Sequence, residues 1–549
     1  MWSPENNKLG QIRPVLAKHS GSRRNKEIGA WNDAGGVLII SYQIFRKLVQ
    51  NNTEQNEDQE QQSINENIKF WLLNSPNIVV ADEAQNLRNQ KSRIAEATSR
   101  FRTRKRIALS GTPLSNGVED YYWLVEWVAH HYLGPFADFN DLFIKPIENG
   151  SHIESTRAEQ REALQRQALF LRIIEPKVQR VDMSTLTDEL PPKHEFCIYL
   201  ELTELQKGVY NLFVDDLRLG KVQSVSTKLL SFLNLLQLCC IHPALFKTQL
   251  ESRDVKRARD NQTCLSSDEI GTSLGVGIPA QENALSGLMS CELESLLNRV
   301  PDLLNPSLSS RVTILNEIVN QAIALGDKVL VFSSSILALN YLAEFMDKTQ
   351  RNYCLIDGNV GPARRPERIR IFDNDPTTHV CFVSTHAGGI GFNIQTANRI
   401  VIFDFLFNPT WEEQAVGRAY RIGQKKPVYV YRMIAGGTFE EKLYRMNVFK
   451  NQLAYRMVDK KNPVRMGSKS QDPYLAHCTA SSEKRSIEKS VLEADAGMIN
   501  GILSSECAAS IITIKLSGPH VDPGDILTTV ERQTVEDELR VQRLRLDSR

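Results

Sequence analysis

NIVVADEAQ, residues 77–85, places two carboxylates, Asp82 and Glu83, directly after an apolar, β-branched run. Such a short continuous run reads as a strand buried on both faces of a parallel sheet. In open α/β sheets ligands gather at the carboxyl ends of the strands, which is where these two acids emerge. One carboxylate there can hold a divalent metal through water while its neighbour orients or deprotonates an attacking water. Taken alone, the pair also reads as a helix N-cap.

The same texture extends on both sides. GVLIIS at 36–41 and RIAL at 106–109 read as further parallel strands, and Ser110-Gly111-Thr112-Pro113 follows the latter. Its hydroxyls suit a phosphate sensor and Gly111 suits a sharp turn, although a plain turn fits as well. Residues 51–67, rich in Gln, Asn and Glu, read as a disordered loop. From Glu119 to about Lys247 the pattern is mostly helical, with one extended stretch, KHEFCIYLEL, after Pro191-Pro192. A second α/β region has a helix from Ser309 to Leu325 and strands at 328–332, 379–384, 399–403 and 427–432, the rhythm of a doubly wound sheet.

Two loops in this second region carry chemistry. STHAGGIGFN, residues 384–393, sets three glycines and two hydroxyls after a strand, so its backbone amides can approach a phosphate; a tight connection is the alternative. QAVGRAYRIGQ, residues 414–424, follows Asn408-Pro409-Thr410. Thr410 and Glu413 have capping-box spacing, predicting a helix from Trp411 that Gly423 closes. On it Gln414, Arg418 and Arg421 project together, either toward a triphosphate or as a solvated basic face.

Composition bounds the partners. The 549 residues suffice for about three or four domains, and a net charge of +1 excludes a blanket basic field, so a nucleic-acid surface must be a local stripe. Candidates are Arg100, Arg102, Arg104, Lys105 and Arg106, then Lys450, Arg456, Lys460, Lys461 and Arg465; each reads equally as a solvated face. The nine cysteines form no C-x-x-C pair, which suits a reducing compartment. No apolar run approaches about 18 residues, so membrane readings fall away, leaving cytosol or nucleus.

In order, VVADEAQNLRN, ALSGTPLSN, KVLVFSSS, STHAGGIGFN and QAVGRAYRIGQ resemble motifs II to VI of superfamily-two helicase-like ATPases, specifically the Swi/Snf-type DNA-dependent ATPases that remodel chromatin. The resemblance covers roughly residues 30–465, and VQRVDMSTLTDELPPKHEF with RIGQKKPVYVYRMIAGGTFEEKLY resembles the ATRX and androgen-receptor-interacting branch. It implies two RecA-like lobes, the first incomplete, with helical insertions. The expected divisions are a partial first lobe at 1–205 with a helical protrusion from about 119, a helical segment at 206–250, a linker at 251–306, a second lobe with a complete set of strands and a brace helix at 307–466, and an unassigned region at 467–549.

The resemblance also implies roles. Asp82 would hold Mg²⁺, Glu83 would activate water, and Arg418 and Arg421 would serve as arginine fingers supported by Gln414. Ser110, Gly111, Thr112, Gly389 and Gly391 would contact ATP. Thr385, His386, Asn393, Lys425 and Lys426 would contact double-stranded DNA, with chromatin as the partner and the nucleus as the location.

The sequence departs from the family in having no G-x-x-x-x-G-K-[ST] upstream of GVLIIS, so the chain resembles the C-terminal two-thirds of an ATPase, as a truncated reading of the gene would produce. A first lobe lacking that central strand is expected to expose apolar edges and to bind ATP poorly. His386 stands where the family has a basic residue, and Gln85 where it has His. A scaffold relative without nucleotide turnover is the competing reading.

Overall fold

The computed structural model describes residues 11–16, 19–50, 59–112, 114, 117–181, 189–218, 225–252, 290–361, 364–385, 393–457, 474–481, 486–517 and 527–547. They fall into two compact units, one drawn from 1–180, 450–468 and 521–549, the other from 181–449 and 469–520. The α/β class with helical insertions is as expected.

In the first unit, β1 (Ile12–Val15) pairs in parallel with β2 (Val37–Ile40), and β3 (Val79–Ala81) with β4 (Arg106–Ala108). The sequence reading placed β2, β3 and β4 in one sheet and missed β1; among the described residues no strand joins the two pairs. The consequence is visible on the surface. Val80 and Ile107 are register partners, and with Ile78 and Leu109 they are 48–57% exposed. Parallel strands are normally covered on both faces, whereas these four side chains have no such cover among the described residues.

Residues 59–67 do not form the expected loop. They open the helix Gln59–Asn74, because Ile68 and Leu72, four apart, bury against Ile28, Trp31, Phe45 and Val49. The helical protrusion includes Val118–Val128 and Arg157–Ile174, the latter opened by a Thr156/Glu159 capping box. Phe139, Phe143 and Phe170 fill its core together with Leu453, Met457, Val535 and Leu539. The helix Thr529–Asp547, from the region without a sequence assignment, lies along Arg157–Ile174 through Arg161–Glu531, Arg166–Glu538 at 2.6 Å and Arg172–Glu536 at 3.0 Å.

Among the described residues, the second unit holds one sheet of eight strands: β5 (Lys193–Leu200), β6 (Val329–Ser333), β7 (Tyr353–Ile356), β8 (Val380–Ser384), β9 (Arg399–Ile402), β10 (Val428–Ala435), β11 (Ser486–Ile487) and β12 (Ile511–Leu516). Their order is β11-β12-β5-β10-β9-β6-β8-β7. From β5 to β7 all neighbours are parallel, and β12 runs antiparallel to β5. β6, β8 and β9 are buried throughout, as their largely apolar runs require, with Arg399 at the start of β9 paired to Asp327 and Asp495.

This topology corrects two boundaries. The stretch at 193–200, assigned to a first lobe ending at 205, is β5 and pairs along its whole length with β10. The second lobe is likewise not complete within 307–466, because β5, β11 and β12 lie outside that span. Removing β5 would uncover β10, whose Tyr431, Met433 and Ile434 are fully buried.

Candidate functional site

Asp82 and Glu83 leave β3 into solvent in a turn clamped by β4: Leu109 N donates to Ala81 O at 2.8 Å and Ala84 N to Leu109 O at 2.9 Å. Glu83 has φ 50°, a left-handed conformation that costs of order 1–3 kcal/mol in a residue with a side chain. Local bonds hold it there. Glu83 O accepts from Asn86 N at 3.1 Å and from Asn86 Nδ2 at 2.9 Å, and Glu83 Oε2 accepts from Gln85 Nε2 at 2.6 Å. Asp82 Oδ1 accepts from Glu83 N at 3.0 Å, and Asp82 O accepts from the Tyr42 hydroxyl at 2.8 Å. Burial, then the charges of Asp82 and Glu83, raises the Tyr42 phenol well above its ordinary range, so it remains a donor.

Gln85 connects the acids to the next loop. Its Oε1 accepts from the Ser110 hydroxyl at 2.8 Å, and Ser110 Oγ accepts from Thr112 N at 3.2 Å. The structure therefore unites the acidic turn and the Ser110–Thr112 loop through one buried amide. Sequence reading saw Gln85 only as a replacement and missed Tyr42, whose sole signal is its place just past the β2 strand. Gly111 has no positive φ, and a Cβ there would meet nothing within 4 Å, so its turn does not require glycine as expected. Thr112 Oγ1 is buried and has no hydrogen-bond partner among the described residues. The exposed carboxylates are the hard oxygen donors that fit Mg²⁺. A glycine-rich phosphate cradle with its lysine is not encoded in the sequence.

In the second unit the helix bearing Gln414 spans only Thr410–Val416, with Pro409 at its N-cap and Gly417 at its C-cap. Thr410 is thus already helical, and Glu413 turns to Arg432 at 3.4 Å instead of closing a capping box. Arg418 and Arg421 lie beyond the helix in successive turns, not on one helical face as expected. Gly423 has φ 103°, and a Cβ there would approach the Gln395 amide to 2.9 Å, so glycine is required where the turns end.

These turns are stitched to the segment after the glycine-rich loop. Ile394 N donates to Arg418 O at 3.0 Å, Gln395 Nε2 to Ile422 O at 2.6 Å, and Gln424 Nε2 to Ala397 O at 3.0 Å. Arg421 Nη1 donates to Asn393 Oδ1 at 2.5 Å, joining a nucleotide candidate to a DNA candidate. Thr385 is buried at the end of β8, whereas Arg421, Asn393 and Lys425 are exposed. His386, Gly389 and Gly391 lie outside the described residues. Lys426 Nζ reaches Asp327 Oδ1 at 2.8 Å and Gly326 O at 3.1 Å.

The basic stripes are partly structural. Arg106 donates to the carbonyls of Ser99, Phe101, Thr103 and Trp127, and its guanidinium stacks over the Trp127 ring at 5.4 Å. Arg456 is buried, and burial pushes the Lys450 ammonium down. Lys460, Lys461 and Arg465 lie outside the described residues.

Glu412, buried in the same short helix, gives a pH prediction. Burial raises its carboxyl to about 8, and Arg432 fails to offset this. The Arg432 guanidinium is shared, with Glu195 in the shortest contact, Glu413 at 3.4 Å and Glu412 at 3.8 Å. Because the folded value exceeds the unfolded one, this group costs nothing below about pH 4.5 and destabilises increasingly as pH rises to about 8. Glu412→Gln is expected to raise the melting temperature at pH 8.5, by an amount worth on the order of a few kcal/mol, and to change it little near pH 5. Melting curves across that range check this.

With this geometry in hand, comparison with known proteins gives two domain matches. Residues 4–245 match the SNF2-related domain, and residues 310–423 match the helicase conserved C-terminal domain. The chain is 30% identical over 526 residues to Protein CHROMATIN REMODELING 20 of Arabidopsis thaliana, covering 88% of this chain and 34% of that protein. It is 28% identical over 512 residues to the Transcriptional regulator ATRX homolog of Drosophila melanogaster, covering 79% and 39%. It is also 28% identical over 548 residues to Helicase ARIP4 of Homo sapiens, covering 84% and 37%. The chain thus spans little more than a third of the length of these curated relatives.

Proposed function

Because the chain belongs to the Swi/Snf-type family of helicase-like ATPases, we propose that it is the motor portion of an ATP-dependent translocase on double-stranded DNA, acting on chromatin in the nucleus. The observation that carries this reading is the chain of hydrogen bonds from Glu83 through Gln85 and Ser110 to the Thr112 amide. It gives the Glu83 carboxylate a fixed link to a loop whose buried Thr112 hydroxyl has no partner among the described residues. A scaffold has no need of such a link.

Asp82 would hold Mg²⁺, and Glu83 would orient the attacking water. Arg418 and Arg421 would supply positive charge to a transferred phosphate, with Gln414 in support, and Asn393 holds the Arg421 guanidinium. Ser110, Gly111, Thr112, Gly389 and Gly391 belong to the nucleotide side of this scheme; Thr385, His386, Asn393, Lys425 and Lys426 belong to the DNA side. ATP and Mg²⁺ are the cofactors. A DNA-binding scaffold is the second reading; these 549 residues contain no G-x-x-x-x-G-K-[ST], and the chain by itself is expected to bind MgATP weakly.

Both readings require duplex DNA binding through phosphates. The chain is expected to bind two unrelated duplexes equally and to lose affinity steeply as salt increases, since phosphate contacts release counterions. Fluorescence anisotropy at several salt concentrations tests this. A strong preference for one duplex, or affinity indifferent to salt, would remove the translocase reading; the nucleotide roles are tested separately below.

A further inference from the structure

Beyond the nucleotide and DNA groups, one cluster of metal-ligating side chains stands apart at the end of the helix Val118–Val128, in the protrusion of the first unit. Glu126 lies on its last turn, and His130 and His131 follow in the turn that leaves it. Glu126 Oε1 is 2.5 Å from His130 Nδ1 and 3.6 Å from His131 Nδ1. Glu126 Oε2 accepts from the His131 backbone N–H at 2.9 Å, which fixes the direction of the carboxylate. The two imidazole centroids are 3.7 Å apart. One potential ligand atom from each of the three residues lies within 4.8 Å of the other two.

Two features distinguish this from a chance surface group. The Glu126 side chain is only 10% exposed, yet its carboxylate faces two rings that are 64% and 75% exposed, so a cation can enter from solvent onto an anchored ligand. His131 has φ 63°, a left-handed conformation uncommon in non-glycine residues but one that histidine shares with asparagine and aspartate, and this turn brings its ring back over that of His130.

We propose that Glu126, His130 and His131 bind one divalent transition-metal ion of the zinc class. Two imidazole nitrogens and one carboxylate oxygen suit zinc, with water completing a tetrahedral set; magnesium and calcium prefer oxygen ligands alone. In the metal-free site His130 Nδ1 and Glu126 Oε1 are in direct contact at 2.5 Å. To ligate through Nδ1, neutral His130 carries its one ring proton on Nε2, a tautomer exchange through solvent with no net proton released. Since the three ligands join the helix end to the turn that follows, metal binding clamps the protrusion.

The test is calorimetric titration of the full chain with Zn²⁺, comparing it with His130→Ala, His131→Asn and Glu126→Gln. Asparagine is chosen at 131 because it tolerates a left-handed backbone, and both histidines are exposed enough to be replaced without disturbing the core. The wild type is expected to take up one more equivalent of Zn²⁺ than the His130→Ala/His131→Asn double variant, which separates this site from exposed thiols such as Cys291. Each single change should lower affinity by at least the roughly 10–100-fold that loss of an outer-shell partner costs. Cu²⁺ substituted at the site should show nitrogen hyperfine splitting from two imidazoles. Equal zinc stoichiometry in wild type and double variant, or a copper spectrum without nitrogen coupling, would overturn the proposal.

Discussion

Replacing Arg421 by alanine, in a protein made by joining this chain to a P-loop segment from a relative, is expected to lower ATP turnover roughly a thousandfold or more, the scale of a lost arginine finger. Nucleotide affinity should change much less, because the guanidinium acts on charge that develops during phosphoryl transfer. Arg418→Ala should behave alike. Asn393→Ala provides an internal control, since it releases the Arg421 guanidinium without removing it and should cost less than Arg421→Ala. Glu83→Gln should leave ATP bound and uncleaved. Single-turnover hydrolysis with a parallel binding measurement checks the series; parental rates in Arg421→Ala would remove the site assignment.

The second large effect concerns stability. Arg311 and Glu440 are 2% and 0% exposed and form a direct ion pair at the core of the second unit. Arg311 Nη1 also donates to Phe403 O at 2.6 Å, and Glu440 Oε2 accepts from Ala435 N at 3.0 Å. Yet Arg311 Nε and Glu440 Oε1 have no partner among the described residues, and burial keeps the Glu440 carboxyl above its ordinary range despite the neighbouring guanidinium. Desolvation thus offsets most of the Coulomb attraction. Arg311→Ala, which strands the carboxylate, should destabilise the unit by about 3–5 kcal/mol, whereas Arg311→Met with Glu440→Leu should be close to neutral. Denaturant melts of the two variants distinguish the outcomes, and equal losses in both would mean that the pair is a net stabiliser.

Particular residues show what the sequence could and could not reveal. VLVF, VCFV and RIVI were legible as strands because an unbroken apolar run has no other use in a parallel sheet. Tyr353–Ile356 was missed because a four-residue strand at the sheet edge carries little pattern. β5 was read as extended but placed in the wrong unit, since its pairing with β10 is a long-range contact with no local signature. The same holds for the helix Thr529–Asp547, whose place is set by arginines far earlier in the chain.

Site legibility followed exposure. Asp404 follows RIVIF much as Asp82 follows NIVVA, but it is buried, accepting from Ser334 N at 2.8 Å and from the Ser333 hydroxyl. Position after a strand does not separate the structural acid from the exposed pair; only the second carboxylate, Glu83, and the sequence around it do. The arginine turns were misjudged for a related reason: Gly417 is a weak helix stop by itself, and bonds from residues 394, 395 and 397 decide where the helix ends.

The most direct test is DNA-stimulated ATP hydrolysis by the chain, measured alone and after joining it to a relative's P-loop segment. The account predicts no appreciable turnover and weak MgATP binding by the chain alone, and turnover stimulated by double-stranded DNA in the joined protein. Submicromolar ATP affinity with DNA-stimulated hydrolysis by these 549 residues alone, or a folded joined protein indifferent to duplex DNA, would contradict it.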